Sequence, residues 1–250
     1  MERDIIFEKL DWDSAFFGIN VCRIRSDISG EGVLGQVLQA LHAAGIDLAY
    51  YSAERPLQPG TTGTSLFDIV PVDRKLTYFK PVNPLVQPVP SVASYSGSEP
   101  DAALVRLAIL SGTYSRFQVD HRIGRAAFEK LYTQWIINSV HRSIAQEVLI
   151  HREDGAIRGF VTLGGKAPVA DIGLIATDPA YQGKGIGRQL MVAAENWFAV
   201  RQYTRIQVIT QFDNIPARRL YERCGYGAAA PEYFYHFWNK TGHRLVLQEH

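Results

Sequence analysis

"PAYQGKGIGRQL", residues 179–190, decides how this chain is read. Glycines stand at 183, 185 and 187, with Lys184 and Arg188 beside them. Glycine takes φ > 0 readily and lets a ligand approach the backbone. Successive bare amides make an anion-binding concavity, and a helix N-terminus adds its dipole. The stretch before the loop, "VADIGLIATD", reads as a strand. After it, Leu190, Ala193, Ala194, Trp197 and Phe198 fall on one helical face. A glycine loop that follows a strand and opens a helix suits a phosphate, whereas a glycine-rich surface turn is the plain alternative.

Working outward, "EVLIHREDGAIRGFVTLGG" reads as two strands around Asp154-Gly155, a strong hairpin signal. "RIQVITQ" reads as a strand, "NIPARRLYERCGY" as a helix stopped by Gly225, and "YFYHFW" as a last strand. Upstream, Phe128, Leu131, Tyr132, Trp135, Ile136 and Ser139 share a helical stripe that reads as core. Ser98 and Asp101 resemble a capping box for a helix through Leu110. Nearer the start, "IIFEKL", "VCRIR", "IDLAYYSA" and "DRKLTYFK" read as strands, and "EGVLGQVLQALHAAG" as a helix ending at Gly45. Five prolines in residues 80–100 read as a linker. The expected division is therefore an α/β domain over 1–90 and a larger α/β domain over 101–250.

The remaining composition narrows the function. The chain has 250 residues, 46% apolar and 20% charged, with a formal net charge of +1. Near neutrality gives no argument for nucleic acid or an acidic membrane surface. No apolar run reaches the ~18 residues of a membrane span. The start "MERDIIFEKLDWD" lacks a signal peptide's apolar core, so the expected location is the cytoplasm. Cys22 and Cys224 lie near opposite ends, and no CxxC or HExxH string occurs, so neither a disulfide framework nor a metal is expected.

Three phosphate loops can be tested against residues 179–190. Walker A requires G-x-x-x-x-G-K-[ST], and no such string exists. The dinucleotide fingerprint G-x-G-x-x-G fails, since its third glycine would fall on Leu190 or Arg188. The pattern [QR]-x-x-G-x-[GA] fits Gln182, Gly183, Lys184, Gly185, Ile186 and Gly187. With these residues the chain resembles the GNAT superfamily of acyl-CoA-dependent N-acyltransferases. A second motif supports the resemblance: Asn214, Ala217, Leu220, Tyr221, Gly225 and Tyr226 follow the family's N-x-x-A-x-x-x-Y-x-x-x-G-[FY] helix, one strand after the loop. The resemblance covers roughly residues 101 to 240. It implies a mixed, mostly antiparallel central sheet flanked by helices, with the smaller α/β domain in front.

The resemblance also assigns roles. Gln182, Gly183, Lys184, Gly185, Ile186, Gly187 and Arg188 would surround the pyrophosphate of acetyl-CoA, the expected co-substrate. Leu174 and Ile175 would pair with the pantetheine arm, and a splay of that strand would free an amide for the thioester oxygen. Asn214 would cap its helix and touch the CoA arm. Tyr221 would be the general acid that protonates the departing thiolate, its free pKa of about 10 keeping the phenol protonated. No base is assigned.

A finer resemblance joins both parts. "LDWDSAFFGIN", "LSGTYSRFQVD" and "FEKLYTQWIINSV" look like the dTDP-fucosamine acetyltransferases, which act on a dTDP-linked 4-amino-4,6-dideoxyhexose. It implies a nucleotide amino sugar as acceptor, for surface polysaccharide synthesis, with Ser115, Arg116 and Phe117 in its site. Trp12, Phe16 and Phe17 would either line that site or pack between the parts. The alternatives are a GNAT enzyme for another small amine or a peptide N-terminus, and a non-catalytic acyl-CoA-binding domain. A homodimer is left open.

Overall fold

The computed structural model describes residues 6–30, 32–58, 64–83, 88–243 and 245. In chain order its elements are β1 (Phe7–Lys9), α1 (Asp11–Phe17), β2 (Val21–Ile24), α2 (Val33–Ala43), β3 (Leu48–Ala53), β4 (Phe67–Pro81) and β5 (Val92–Ser94). Then come α3 (Ala102–Ser111), α4 (Arg116–Val119), α5 (Gly124–Val140), β6 (Glu147–Glu153), β7 (Ala156–Lys166) and β8 (Val169–Thr177). The chain ends with α6 (Ile186–Val200), β9 (Arg205–Gln211), α7 (Ile215–Arg223), β10 (Gly227–Ala228) and β11 (Glu232–Asn239). No described helix is long and apolar enough to cross a membrane.

The chain forms two compact units. The first comprises Met1–Lys75, Arg116–Ala127 and Pro231–His250; the second comprises Leu76–Ser115 and Phe128–Ala230. This division departs from the linear expectation of 1–90 and 101–250. The cause is strand pairing: β11 lies between β3 and the first half of β4, antiparallel to both. Two hydrogen-bonded neighbours hold the last strand with the first part of the chain. A turn near residue 116 joins it too.

In the first unit the strands run β1-β2-β3-β11-β4. β2 and β3 are parallel, which requires a crossover, and α2 supplies it. Val37, Leu38 and Leu41 of α2 bury against Cys22, Tyr51, Phe67 and Phe237. Strand β4 is longer than "DRKLTYFK" and runs through Pro71. In the structure Pro71 opposes Tyr235 at a register shift, a bulge where a missing N–H is tolerated.

The second unit carries β4-β9-β8-β7-β6-β5, with β10 beside β4. The β5–β6, β6–β7 and β7–β8 pairs are antiparallel; β8 and β9 are parallel, and α6 is their crossover. The β6–β7 hairpin turns through Asp154 (φ 53°) and Gly155 (φ 76°), the pair of positive φ values that its two-residue turn demands. Alternation along the strands separates two faces. Val148, Ile150 and Phe160 meet Leu104, Leu107 and Ile136 of α3 and α5. Leu149 and Val161 meet Leu190, Ala194 and Phe198 of α6 on the other face. A mixed, mostly antiparallel sheet flanked by helices results.

Two local readings need correction. Asp101, not Ser98, caps α3, its carboxylate accepting from the Leu104 amide at 2.8 Å. The proline-rich stretch is also not all linker, since Val92–Ser94 pairs as an edge strand with β6, and an edge is where nearby prolines cost no ladder bond. Residues 84–87 of that stretch lie outside the described residues, as does Ile5 of "IIFEKL".

Candidate active site

The glycine loop is built for its backbone. Gly183 (φ 79°) and Gly185 (φ 85°) take left-handed conformations, and a Cβ at either would meet open space. Within the chain these two glycines are needed for torsion, not for clearance from another residue. Gly185 is the N-cap of α6, with no side-chain cap. The amides of Gly183 through Arg188 find no acceptor among the described residues. This is a row of unspent donors at the positive end of a 15-residue helix.

Gly187 serves another purpose. A Cβ there would lie 3.2 Å from Leu220 Cδ2, so it lets α6 approach α7. That contact brings the loop to the helix carrying Tyr221. Ile186 is buried in the core, whereas Gln182, Lys184 and Arg188 are exposed. The Lys184 ammonium lies 4.2 Å from the centre of the Tyr181 ring and Arg158 lies 4.1 Å from it. Arg188 borders a cavity of about 510 Å³ together with Gly185, Gln189 and Ser91.

Strands β8 and β9 part beside this loop. They are in register from Val169 to Ile172 and no further, although both continue. The β7–β8 register also shifts, between Val161 and Leu163, and the Leu174 amide donates to Thr162 Oγ1 at 2.8 Å. Gly173 accommodates that hydroxyl, which would sit 2.7 Å from a Cβ. The amides of Leu174 and Asp178 both point toward β7. By alternation the amide of Ile175 points to the opposite edge, where β9 has left.

On α7, Asn214 is the N-cap. Its Oδ1 accepts from the Ala217 amide at 3.3 Å, and its Nδ2 donates to Thr210 Oγ1 at 3.1 Å. Pro216 sits in the first turn, where a missing N–H costs nothing. One helical turn on, the Tyr221 ring is 2% exposed and 5.5 Å from that of Tyr78. Tyr78 itself donates to Glu222 Oε1 at 2.8 Å. The Tyr221 hydroxyl makes no hydrogen bond with a described residue and is not sealed from solvent. Burial, with smaller contributions from Cys224 and Tyr78, pushes its pKa well above the usual range. The phenol is therefore protonated at neutral pH.

In the first unit, Arg116 opens α4 and is half-buried. Its guanidinium lies 4.2 Å from the centre of the Tyr50 ring, 4.6 Å from Phe117 and 5.6 Å from Phe234. It forms no hydrogen bond or ion pair with a described residue. Asp13 and Asp73 act on it through charge alone. Phe117 is buried, and Phe17 stacks on it at 6.2 Å. Trp12 is 46% exposed and stacks on Phe16 at 5.1 Å. Ser115 belongs by its contacts to the second unit, where its hydroxyl is sealed and unpartnered.

Sequence reading missed the residues around Arg116. Tyr50, Asp120, His236 and Trp238 come from three separated segments. No local spacing links them, and "YFYHFW" reads only as a strand.

Known proteins give this geometry a family. The model of the acetyltransferase (GNAT) family matches residues 113–226. The chain is 30% identical to the dTDP-fucosamine acetyltransferase of Escherichia coli O6:H1, over 91% of this chain and 96% of that one. It is 27% identical to a spore coat polysaccharide biosynthesis protein of Bacillus subtilis, over 54% of this chain but only 47% of the relative's length. A GNAT-family acetyltransferase structure from Novosphingobium aromaticivorans superposes with a TM-score of 0.58 at 15% identity, covering 96% of this chain and 91% of that one, which speaks to the fold alone. A left-handed glycine loop, parted strands and a buried helix tyrosine thus occur in a chain that belongs to the GNAT family of acetyltransferases.

Proposed function

We propose that this enzyme moves an acetyl group from acetyl-CoA to the amine of a nucleotide-linked amino sugar, a dTDP-4-amino-4,6-dideoxyhexose used for surface polysaccharide. One observation carries the substrate class. The likeness to the Escherichia coli dTDP-fucosamine acetyltransferase runs through both compact units, not only the part matched by the family model.

The residues fit acetyl-CoA. The free amides of Gly183 to Arg188 bind pyrophosphate oxygens, with Gln182, Lys184 and Arg188 around them. The opened edge of β8 at Leu174 and Ile175 takes the pantetheine arm as a strand would. The Ile175 amide then faces the thioester oxygen and stabilises the charge that grows there. Asn214 contributes its remaining amide hydrogen to the arm.

The chemistry follows from these placements. The neutral sugar amine attacks the thioester carbonyl carbon, and the C–N bond forms as the C–S bond breaks. Tyr221 gives its proton to the departing thiolate. The proton lost by the amine returns through water to the phenolate. A sugar amine flanked by C–O bonds is less basic than lysine, so no strong base is required. Arg116, with its donors unspent, binds the diphosphate bidentately, and the Phe117 ring beneath its guanidinium completes that part of the site.

The test is acetyl transfer to a panel of dTDP- and UDP-linked amino sugars, alongside thermal-shift measurement of each ligand. Selective stabilisation and turnover with the dTDP-4-amino sugars is expected. Turnover confined to other amines would overturn the acceptor and leave the acetyltransferase standing.

A further inference from the structure

Asp120 follows α4 and is 1% exposed. Its Oδ2 accepts from His236 Nδ1 and from Trp238 Nε1, each at 2.7 Å. Its Oδ1 accepts from the Arg122 amide at 3.1 Å. Burial raises the carboxyl's pKa, but the bonds from His236 and Trp238 outweigh it and hold the group below its usual range. Asp120 is therefore ionised and can only accept, so His236 Nδ1 carries a proton. Burial also pushes His236 down to about 4. Its ring is neutral near pH 7, with the lone pair on Nε2. That nitrogen is sealed and has no partner, so His236 exchanges no proton with a substrate in this state.

This carboxylate is tied to Arg116 by the chain. The Asp120 amide donates to the Arg116 carbonyl at 3.1 Å and closes the turn of α4. A helix of four residues is not stable by itself. Here it is fixed from its C-terminal end, by two side chains of β11 gripping Asp120. At its N-terminal end, Arg116 rests on Tyr50, whose ring is 5.0 Å from His236, and on Phe117, whose ring is 6.3 Å from it. Aromatic faces hold the guanidinium in place without using any N–H. Its donors stay free and already oriented, the condition for binding an anion at low ordering cost.

We infer that Asp120, gripped by His236 and Trp238, is a positioning device that sets Arg116 for the diphosphate of the acceptor. The inference rests on the acceptor reading above. His236 and Trp238 touch no substrate; they act through Asp120 and the short helix.

The test measures dTDP affinity by calorimetry, and the KM of both substrates, in four variants. His236→Gln keeps a polar side chain but moves its amide away from Asp120. Affinity for dTDP should fall at least about tenfold, with acetyl-CoA KM unchanged, because small misplacements of a binding group are costly. His236→Asn puts an amide donor where Nδ1 was and should recover most of the loss. Arg116→Ala alone should weaken dTDP, and Arg116→Ala with His236→Gln should be no weaker, since the second change acts through the first. If His236→Gln fails to fold, Trp238→Phe removes the other donor and carries the same prediction at smaller size. A lowered melting temperature with unchanged dTDP affinity would overturn the inference, as would losses that add in the double variant. Wild-type protein that binds no dTDP and acetylates no nucleotide amino sugar would instead overturn the acceptor reading.

Discussion

The glycine loop and the Arg116 cluster both carry N–H donors that no described residue uses, yet they are built from opposite materials. The loop offers main-chain amides, and its specification is two left-handed torsions at Gly183 and Gly185. The cluster offers one guanidinium, and its specification is a set of neighbours at Tyr50, Phe117, Asp120, Phe234 and His236. A backbone site is encoded where it stands. A side-chain site is encoded wherever the fold draws its parts from.

That difference can be broken or sharpened by mutation. The largest effect belongs to neither set of donors but to the proposed chemistry. Tyr221→Phe removes one hydroxyl from a tightly packed ring. If that hydroxyl is the acid, kcat should fall about 10²–10⁴-fold with acetyl-CoA affinity nearly unchanged, read by pre-steady-state and steady-state kinetics. Near-normal turnover, with chemistry limiting, would leave Tyr221 as a packing residue.

Next in size, Arg116→Ala should weaken the acceptor by about 10- to 150-fold, the worth of a hydrogen-bonded charge of roughly 1.5–3 kcal/mol. Arg116→Lys should recover part, because an ammonium lacks the planar fork. Since Arg116 makes no ion pair with a described residue, its melting temperature should move little, by no more than the loss of the ring contacts. An unchanged acceptor KM with a lower melting point would make Arg116 structural.

The loop should respond differently at two of its glycines. Gly185→Ala strains a φ of 85° but meets open space, at a cost of about 1–2 kcal/mol per left-handed residue. Its mark should be weaker acetyl-CoA binding by calorimetry. Gly187→Val meets Leu220 instead and should lower the melting temperature, as overpacking costs about 1–3 kcal/mol. Equal behaviour of the two variants would erase the distinction between torsion and packing.

The most gradual effect is electrostatic, spread over several pH units. His236 is neutral in the folded protein down to about pH 4, whereas in the unfolded chain it charges near 6.5. Between those values the unfolded state binds the extra proton. Stability should therefore fall as pH drops through this window, by about 1.4 kcal/mol per pH unit at most. Asp120, held low in the fold, adds loss in the same direction at still lower pH. Urea melts from pH 7 to 4 should show the slope, and His236→Asn should flatten it.

How much of this was legible follows from the same contrast. The Asp154-Gly155 turn, the α6 face and the Asn214 cap are local, and their residues announce them. The tie between β11 and β3 joins residues such as Phe237 and Ala49, about three quarters of the chain apart, so the expected boundary near residue 90 could not anticipate it. The first half of β4, through Pro71, is set by its pairing with β11 and a bulge there, which no local pattern announces. The parting of β8 from β9 has no sequence mark at all, since both stretches alternate as ordinary strands. His236 lay in a strand of aromatics, and only the fold set it on Asp120.

The central proposal is that the enzyme moves an acetyl group from acetyl-CoA to the amine of a nucleotide amino sugar. Its most direct test incubates the purified protein with acetyl-CoA and a dTDP-4-amino-4,6-dideoxyhexose, and reads the product by mass spectrometry. The account predicts a single acetyl group on the sugar nitrogen, formed by the wild type and nearly abolished by Tyr221→Phe. Protein that binds acetyl-CoA yet leaves every nucleotide amino sugar unmodified would contradict it.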